Sequence, residues 1–179
     1  MKRKQLLPLI GLILAALTIY LIAINFDGSA TTDTDVEDIK ELVHDYSTGK
    51  VEDQTASITS HELIVTNSDE SKLIYDLPED EFFVSIAPYV ETTHPCAIHS
   101  LTGCQGEMIE EEFAVYIEDI EGNVIFDSKL KSFENGFIDL WLPRDKKLRV
   151  VIEHDGKRVE SEISTFEDDN TCITTMQFL

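Results

Sequence analysis

Hydrophobic residues along this chain follow three patterns in turn: one long run, one helical spacing and a series of short segments. The long run covers residues 6–26, carries no charge and follows the basic residues Lys2, Arg3 and Lys4. Roughly 20 apolar residues span a bilayer, whereas a cleaved export signal has an apolar core of about 7–15. The basic end stays in the cytoplasm. Residues 1–30 are therefore expected to be an export signal or an uncleaved membrane anchor with a short linker, and the rest to be extracytoplasmic.

The second pattern predicts one short amphipathic helix. Apolar residues recur at intervals of three or four positions, namely at Val36, Ile39, Leu42 or Val43, and Tyr46. Thr34 and Glu37 have the spacing of a capping box, in which each side chain bonds to the other residue's backbone N–H. Gly49 suits the left-handed conformation that often ends a helix. We expect a helix over residues 35–48.

The third pattern predicts β-strands for the rest of the chain. Short runs rich in β-branched and aromatic residues lie at residues 62–66, 72–75, 82–87, 113–118, 124–127, 137–142, 148–153, 157–163 and 172–177. Between two of these runs, Asp155-Gly156 is a strong signal for a type I′ hairpin. Short strands separated by turn residues favour an antiparallel sandwich or barrel. The expected fold is mostly β, an antiparallel sandwich- or barrel-like domain with a short N-terminal amphipathic helix.

Charge and missing motifs exclude several classes of function. The formal net charge is −21, and such a surface repels nucleic acid and anionic lipid headgroups. No nucleic-acid partner is therefore expected, and the membrane is expected to be contacted only through the N-terminal segment. The chain has no Cys-x-x-Cys, no Gly-x-Ser-x-Gly, no phosphate-binding glycine loop and no His-Glu-x-x-His. These absences argue against thioredoxin-like, hydrolase, nucleotide-binding and zinc-protease chemistry.

The candidate chemistry lies in one short segment and one distant cysteine. His94, Cys96, His99 and Cys104 fall within eleven residues, and Cys172 lies far downstream. Thiolates with imidazoles beside them suit soft metal ions, Cu(I) first and Zn(II) second. Because a sheet can bring the last strand beneath an earlier loop, we expect the loop and Cys172 to close on one metal site.

The residues alone leave two interpretations of the cysteines open. One is a metal site formed by all three, which makes residues 81–179 a β-rich metal-binding domain after a small helix-plus-hairpin subdomain over residues 31–80. The other is a Cys96–Cys104 disulfide with Cys172 buried and inert, in a zinc- or disulfide-stapled interaction domain. Three is an odd number in an oxidising compartment, so any single disulfide leaves one thiol over.

Several motifs resemble the CueP family of exported bacterial copper-binding proteins. They are residues 83–89, 93–96, 99–107, 135–144 and 171–175. The resemblance implies copper sequestration by Cys96, Cys104 and Cys172, with His94 or His99 as a further ligand or supporting residue. It also implies copper delivery to a client enzyme such as a superoxide dismutase, and reduction of Cu(II) to Cu(I). The oligomeric state, a homodimer included, is left open.

Overall fold

A computed structural model describes residues 29–32 and 36–179 of the chain. The predicted apolar export signal or anchor therefore lies outside the described residues. The elements, in chain order, are β1 (Ser29–Thr32), α1 (Val36–Ser47), β2 (Gln54–Ile58), β3 (Glu62–Asn67), β4 (Lys72–Asp76), β5 (Glu81–Ile86), β6 (His99–Ser100), β7 (Glu112–Asp119), β8 (Val124–Lys131), β9 (Ile138–Pro143), β10 (Lys147–His154), β11 (Lys157–Ser164) and β12 (Cys172–Ile173). Across this described part, no helix is both long enough and apolar enough to cross a bilayer.

The predicted helix is present as α1, and the predicted glycine, Gly49, caps its C-terminal end. Its buried apolar side chains are Ile39, Val43 and Tyr46. Gly49 has a φ of 70°, which glycine adopts readily because it has no Cβ. Its N–H donates to the Tyr46 carbonyl at 3.2 Å, and the Lys50 N–H donates to the Asp45 carbonyl at 3.0 Å. This pair of bonds is a Schellman motif, which satisfies two carbonyls at the end of the helix.

A five-stranded sheet packs against the helix, in the order β1-β4-β3-β2-β6. The predicted hairpin is its centre, with β3 and β4 antiparallel and Ile64 opposite Ile74. Buried side chains from the helix and this sheet form one hydrophobic cluster, which includes Ile39, Val43, Ile58, Leu63 and Val65. The two-residue strand β6 lies at the edge of the sheet, and it carries His99 opposite Ile58 of β2.

A three-stranded sheet, β12-β5-β9, lies between the first sheet and a four-stranded sheet, β11-β10-β7-β8. Side chains of β5 alternate between the two sides. Phe82 and Val84 belong to the cluster that this sheet shares with β7 and β10, whereas Phe83 packs with the helix and the first sheet. Because β5 is buried on both faces, its sequence is a nearly continuous apolar run.

The predicted fold class, mostly β with antiparallel sheets and one short helix, is confirmed. Asp155 and Gly156 have φ values of 48° and 76°, as a type I′ turn requires. Among the described residues, none of the sheets closes into a barrel. The last strand is shorter than predicted, because only Cys172–Ile173 pair with β5. The proposed domain boundary at residue 80 stays a prediction.

Candidate metal centre

Cys172 lies on β12, directly under the loop that carries Cys96. Parallel pairing places Cys172 opposite Ser85 of β5. The N–H groups of Thr171 and Cys172 both donate to the Ala97 carbonyl, at 3.0 and 3.1 Å. These two bonds fix the loop over the strand, and they bring the Cα atoms of Cys96 and Cys172 to 5.6 Å from each other. At that separation the two residues form a disulfide.

The structure contradicts the Cys96–Cys104 disulfide, which was one of the two interpretations that the sequence left open. Cys96 pairs with Cys172 and not with Cys104, which is the free thiol. Cys104 is nearer to Cys96 in sequence, but it is not the disulfide partner. The β12–β5 pairing and the bonds to the Ala97 carbonyl already hold Cys172 against the loop. Cys104 is nevertheless close, since its Sγ lies 3.6 Å from the Sγ of Cys96. Cys96 thus has both other cysteines within contact distance.

The turn that carries Cys104 is positioned by two glycines in direct contact. The N–H of Cys104 donates to the Ser100 carbonyl at 3.0 Å, and the N–H of Gly106 donates to the Asn135 carbonyl at 2.6 Å. A Cβ on Gly106 would lie 2.6 Å from the carbonyl oxygen of Gly136, closer than any real Cβ contact. Only glycine lets these backbones approach so closely.

Replacing Gly136 with alanine is expected to lower the free energy of unfolding by about 3 kcal/mol. Its φ is 78°, and the new Cβ would lie 2.6 Å from the carbonyl oxygen of Gly106. Gly122 is the matched control, because it has a φ of 84° and no described atom within 4 Å of an added Cβ. Gly122→Ala is expected to cost about 1 kcal/mol, from backbone conformation alone. Equal losses for the two variants in chemical denaturation would contradict the close packing of Gly106 and Gly136.

His99 is fully buried beside Cys172. Its backbone N–H donates to the Thr171 hydroxyl at 3.0 Å, and that hydroxyl donates to the Ile58 carbonyl at 2.7 Å. The ring lies against Phe137, with centroids 4.5 Å apart, and its Nδ1 is 3.5 Å from the Sγ of Cys172. Its Nε2 has no hydrogen-bond partner among the described residues. A buried imidazole nitrogen without a partner is a nitrogen available to a metal ion.

Burial lowers the pKa of His99 to about 4, with a smaller contribution from the neighbouring His94. Since an unfolded histidine titrates near 6.5, the unfolded chain binds more protons than the folded protein below that pH. We therefore expect the metal-free protein to lose about 2 kcal/mol of stability between pH 7 and pH 5. Denaturation across this range checks the expected loss. His99→Gln should remove it, while the exposed control His61→Gln should leave it in place; an equal loss in His99→Gln would contradict the assignment.

Four of the five predicted site residues come together. One ligand atom from each of Cys96, His99, Cys104 and Cys172 lies within 4.8 Å of the others. The sulfurs border a small apolar cluster that contains Phe137 and Ala87. His94 is not in this group, although its ring centroid lies 6.4 Å from that of Phe137. Three sulfurs and an imidazole in apolar surroundings fit a soft ion, as Cu(I) is, and their number also fits tetrahedral Zn(II).

Sequence reasoning did not single out three residues that build this site. They are Thr171, whose hydroxyl bonds to the His99 backbone; Phe137, which packs against the His99 ring; and Glu107, whose carboxylate accepts bonds from the loop before Cys96. Each lies inside a motif that the sequence already marked as unusual. Their residue types alone did not indicate a role, because threonine, phenylalanine and surface glutamate are common throughout proteins.

Comparison with known proteins shows the family of this chain. The model of the family described as periplasmic copper-binding protein CueP matches residues 37–177. The chain belongs to the CueP family. A CueP structure titled "Crystal Structure of S.CueP" superposes with a TM-score of 0.75 and 36% sequence identity, over 79% of this chain and 88% of that one. No curated protein matches. Membership of a CueP family that is periplasmic and binds copper supports an extracytoplasmic location and copper ions as the partner.

Proposed function

We propose that the protein captures Cu(I) outside the cytoplasmic membrane, with the thiolates of Cys96, Cys104 and Cys172 as ligands. The observation that carries this proposal is the convergence of the three sulfurs and one His99 nitrogen within 4.8 Å. Thiolates are the protein ligands that Cu(I) prefers, and imidazole is an acceptable further donor. His99 is neutral at neutral pH, because burial lowers its pKa to about 4, so it is in the form that binds metal.

The copper-binding form requires reduction of the disulfide. With Cys96 and Cys172 bonded to each other, Cys104 is the free thiol. A dithiol reductant supplies two electrons and two protons by thiol–disulfide exchange and is itself oxidised to a disulfide, which leaves Cys96 and Cys172 as thiols. These thiols lose their protons when the ion binds. The Nδ1 of His99 lies 3.5 Å from the Sγ of Cys172, so we assign His99 to the site. We leave His94 outside the ligand set, because it is not among the converging residues.

Metal analysis of the reduced protein tests this function. The reduced chain should retain one Cu(I) in competition with a Cu(I)-specific chelator, whereas the oxidised chain, with Cys104 as its free thiol, should lose Cu(I) to the chelator. Retention of zinc with loss of the fold on its removal would favour the rival function, a structural zinc domain. Binding of neither ion by the reduced chain would overturn the copper proposal.

We propose reduction of Cu(II) as a second function, and the disulfide between Cys96 and Cys172 supports it. Cys96 and Cys172 each give up one proton and one electron, and a bond forms between their sulfurs. Two Cu(II) ions each accept one electron and become Cu(I). The free thiol of Cys104, whose Sγ is 3.6 Å from that of Cys96, is then in place to hold one product ion.

Counting free thiols tests the reduction. Anaerobic addition of Cu(II) to the fully reduced chain should lower the number of free thiols from three to one and produce two Cu(I) per chain. Cys104→Ser should still form the disulfide, whereas Cys172→Ser should not form the Cys96–Cys172 bond. An unchanged thiol count with no Cu(I) formed would eliminate reduction as a function.

Delivery of copper to a client such as a superoxide dismutase is the third part of the proposal. Cys96 and Cys104 are partly exposed, whereas Cys172 and His99 are buried. A client ligand can therefore replace the two exposed sulfurs first. The Cu(I)-loaded protein should activate copper-free superoxide dismutase in the presence of a chelator that blocks activation by free copper. Activation no faster than from the Cu(I)–chelator complex would contradict delivery.

A further inference from the structure

The carboxylate of Glu107 accepts hydrogen bonds from consecutive backbone N–H groups of another loop. Its Oε2 accepts bonds from the N–H groups of Val90, Glu91 and Thr92, at 2.8, 2.9 and 3.1 Å. Three successive N–H groups that point to one position form an anion-binding nest. These bonds hold the pKa of Glu107 below its usual value, first through Glu91 and then through Val90. The carboxylate is thus ionised at any pH at which the thiolates would bind copper.

Residues 89–93 lead directly into His94 and Cys96. Besides its bonds to Glu107, this segment is hydrogen-bonded to the residues that follow Cys172. The Tyr89 N–H donates to the Met176 carbonyl at 3.0 Å. The Thr93 hydroxyl donates to the Thr174 carbonyl at 3.2 Å. The residues that follow Cys172 therefore hold one side of this segment in place.

Glu107 connects the other side of this segment to the Cys104 turn. It lies three residues after Cys104 and directly after Gly106, whose backbone is fixed against Gly136. Among the described residues, the hydrogen bonds between residues 89–98 and residues 101–107 are those of Glu107, apart from the contact between the two sulfurs. Without this carboxylate, no hydrogen bond to residues 89–98 would hold the Cys104 turn.

We propose that Glu107 is a positioning residue, whose carboxylate keeps the sulfurs of Cys96 and Cys104 within reach of one ion. It acts through the backbone of residues 90–92 and does not itself contact the metal. The consequence for copper rests on the proposed Cu(I) function, but the consequence for the distance between the two sulfurs does not. The test therefore has one measurement without metal and one with Cu(I).

The measurement without metal uses the full chain with Cys172→Ser, which leaves Cys96 and Cys104 as the thiols. The fraction of Cys96–Cys104 disulfide at equilibrium with glutathione gives the effective concentration of one thiol at the other. Glu107→Ala should lower this effective concentration roughly tenfold, since it removes three charge-assisted bonds. Glu107→Gln keeps one acceptor oxygen and should lose less. Glu110→Ala is the matched control, because Glu110 is also an exposed glutamate but its carboxylate bonds to Lys131.

The measurement with copper uses the chain with all three cysteines. Glu107→Ala should weaken Cu(I) binding roughly tenfold, whereas Glu110→Ala should not. A residue that only stabilises the fold would lower the melting temperature of the metal-free protein without changing the Cu(I)–thiolate absorption band.

Each outcome decides one of two proposals, namely the positioning role of Glu107 or the binding of Cu(I). An unchanged effective concentration in Glu107→Ala overturns the positioning role, whatever copper does. If Cys172→Ser does not fold, hydrogen exchange of the Val90, Glu91 and Thr92 amides in the disulfide form replaces the first measurement. Unchanged protection of these amides in Glu107→Ala would then overturn the proposal. Failure of the unaltered chain to bind Cu(I) overturns the proposed function, while the result without metal still decides the role of Glu107.

Discussion

Replacing Cys172 with serine is expected to weaken Cu(I) binding on the order of 1,000-fold, or about 4 kcal/mol. Serine offers a neutral hydroxyl in place of a thiolate, and a hydroxyl oxygen is a poor ligand for a soft ion. Water cannot take over the vacant position, because Cys172 is only 2% exposed and lies in an apolar cluster with Phe137. Cys96→Ser and Cys104→Ser should also weaken binding, by on the order of 100-fold, since both positions admit solvent as a substitute ligand.

The control for this prediction is another buried sulfur. Met176 is fully buried and belongs to the main hydrophobic cluster, whereas the three cysteines belong to or pack against a separate small cluster. Met176→Leu should leave the Cu(I) affinity unchanged within about a factor of two, since Met and Leu have similar volumes. Chelator competition on the reduced proteins measures all four variants. Equal affinity of Cys172→Ser and the unaltered chain would remove Cys172 from the site.

Reducing the Cys96–Cys172 disulfide in the metal-free protein is expected to lower the free energy of unfolding by about 4 kcal/mol. The two cysteines are 76 residues apart, so the bond removes much of the conformational freedom of the unfolded chain. In the folded protein the bonds from the Thr171 and Cys172 N–H groups to the Ala97 carbonyl already hold the Cys96 loop on β12, so we expect reduction to leave the fold unchanged. Chemical denaturation with and without a reductant measures the difference.

Cu(I) should restore the stability that reduction removes. An ion that binds only the folded state stabilises it by about 4 kcal/mol when its free concentration is 1,000 times the dissociation constant. Cys104→Ser is the control for the disulfide effect, because it keeps the Cys96–Cys172 bond and should show the same loss on reduction. A reduced protein as stable as the oxidised one, or one that Cu(I) fails to stabilise, would contradict this exchange of a covalent link for a metal.

Much of the fold could be predicted from local patterns. The helix, the β3–β4 hairpin and the Asp155-Gly156 turn each depend on residues close together in sequence, and all three are confirmed. The strands that were missed depend on tertiary contacts. β2 is polar and short, and it forms because β3 and β6 pair with both of its edges. β6 has only two residues, too few for any periodicity.

The sequence pointed to four of the residues that converge in the structure, together with His94, which does not, and it did not reveal the disulfide pairing. Softness of the ligands and the length of the motifs indicated which cysteines belong together. The disulfide partner of Cys96 depends on the parallel pairing of β12 with β5 and on the Ala97 carbonyl, and no spacing rule contains that information. The role of Glu107 was equally hidden, because its partners are backbone N–H groups about 15 residues earlier in the chain.

X-ray absorption at the copper edge of the reduced, Cu(I)-loaded chain counts the sulfur atoms bound to the ion. We expect three sulfur atoms around one Cu(I), and two in each of the variants Cys96→Ser, Cys104→Ser and Cys172→Ser. Only two sulfurs in the unaltered chain, with the same spectrum in one of these variants, would contradict a site of three sulfurs.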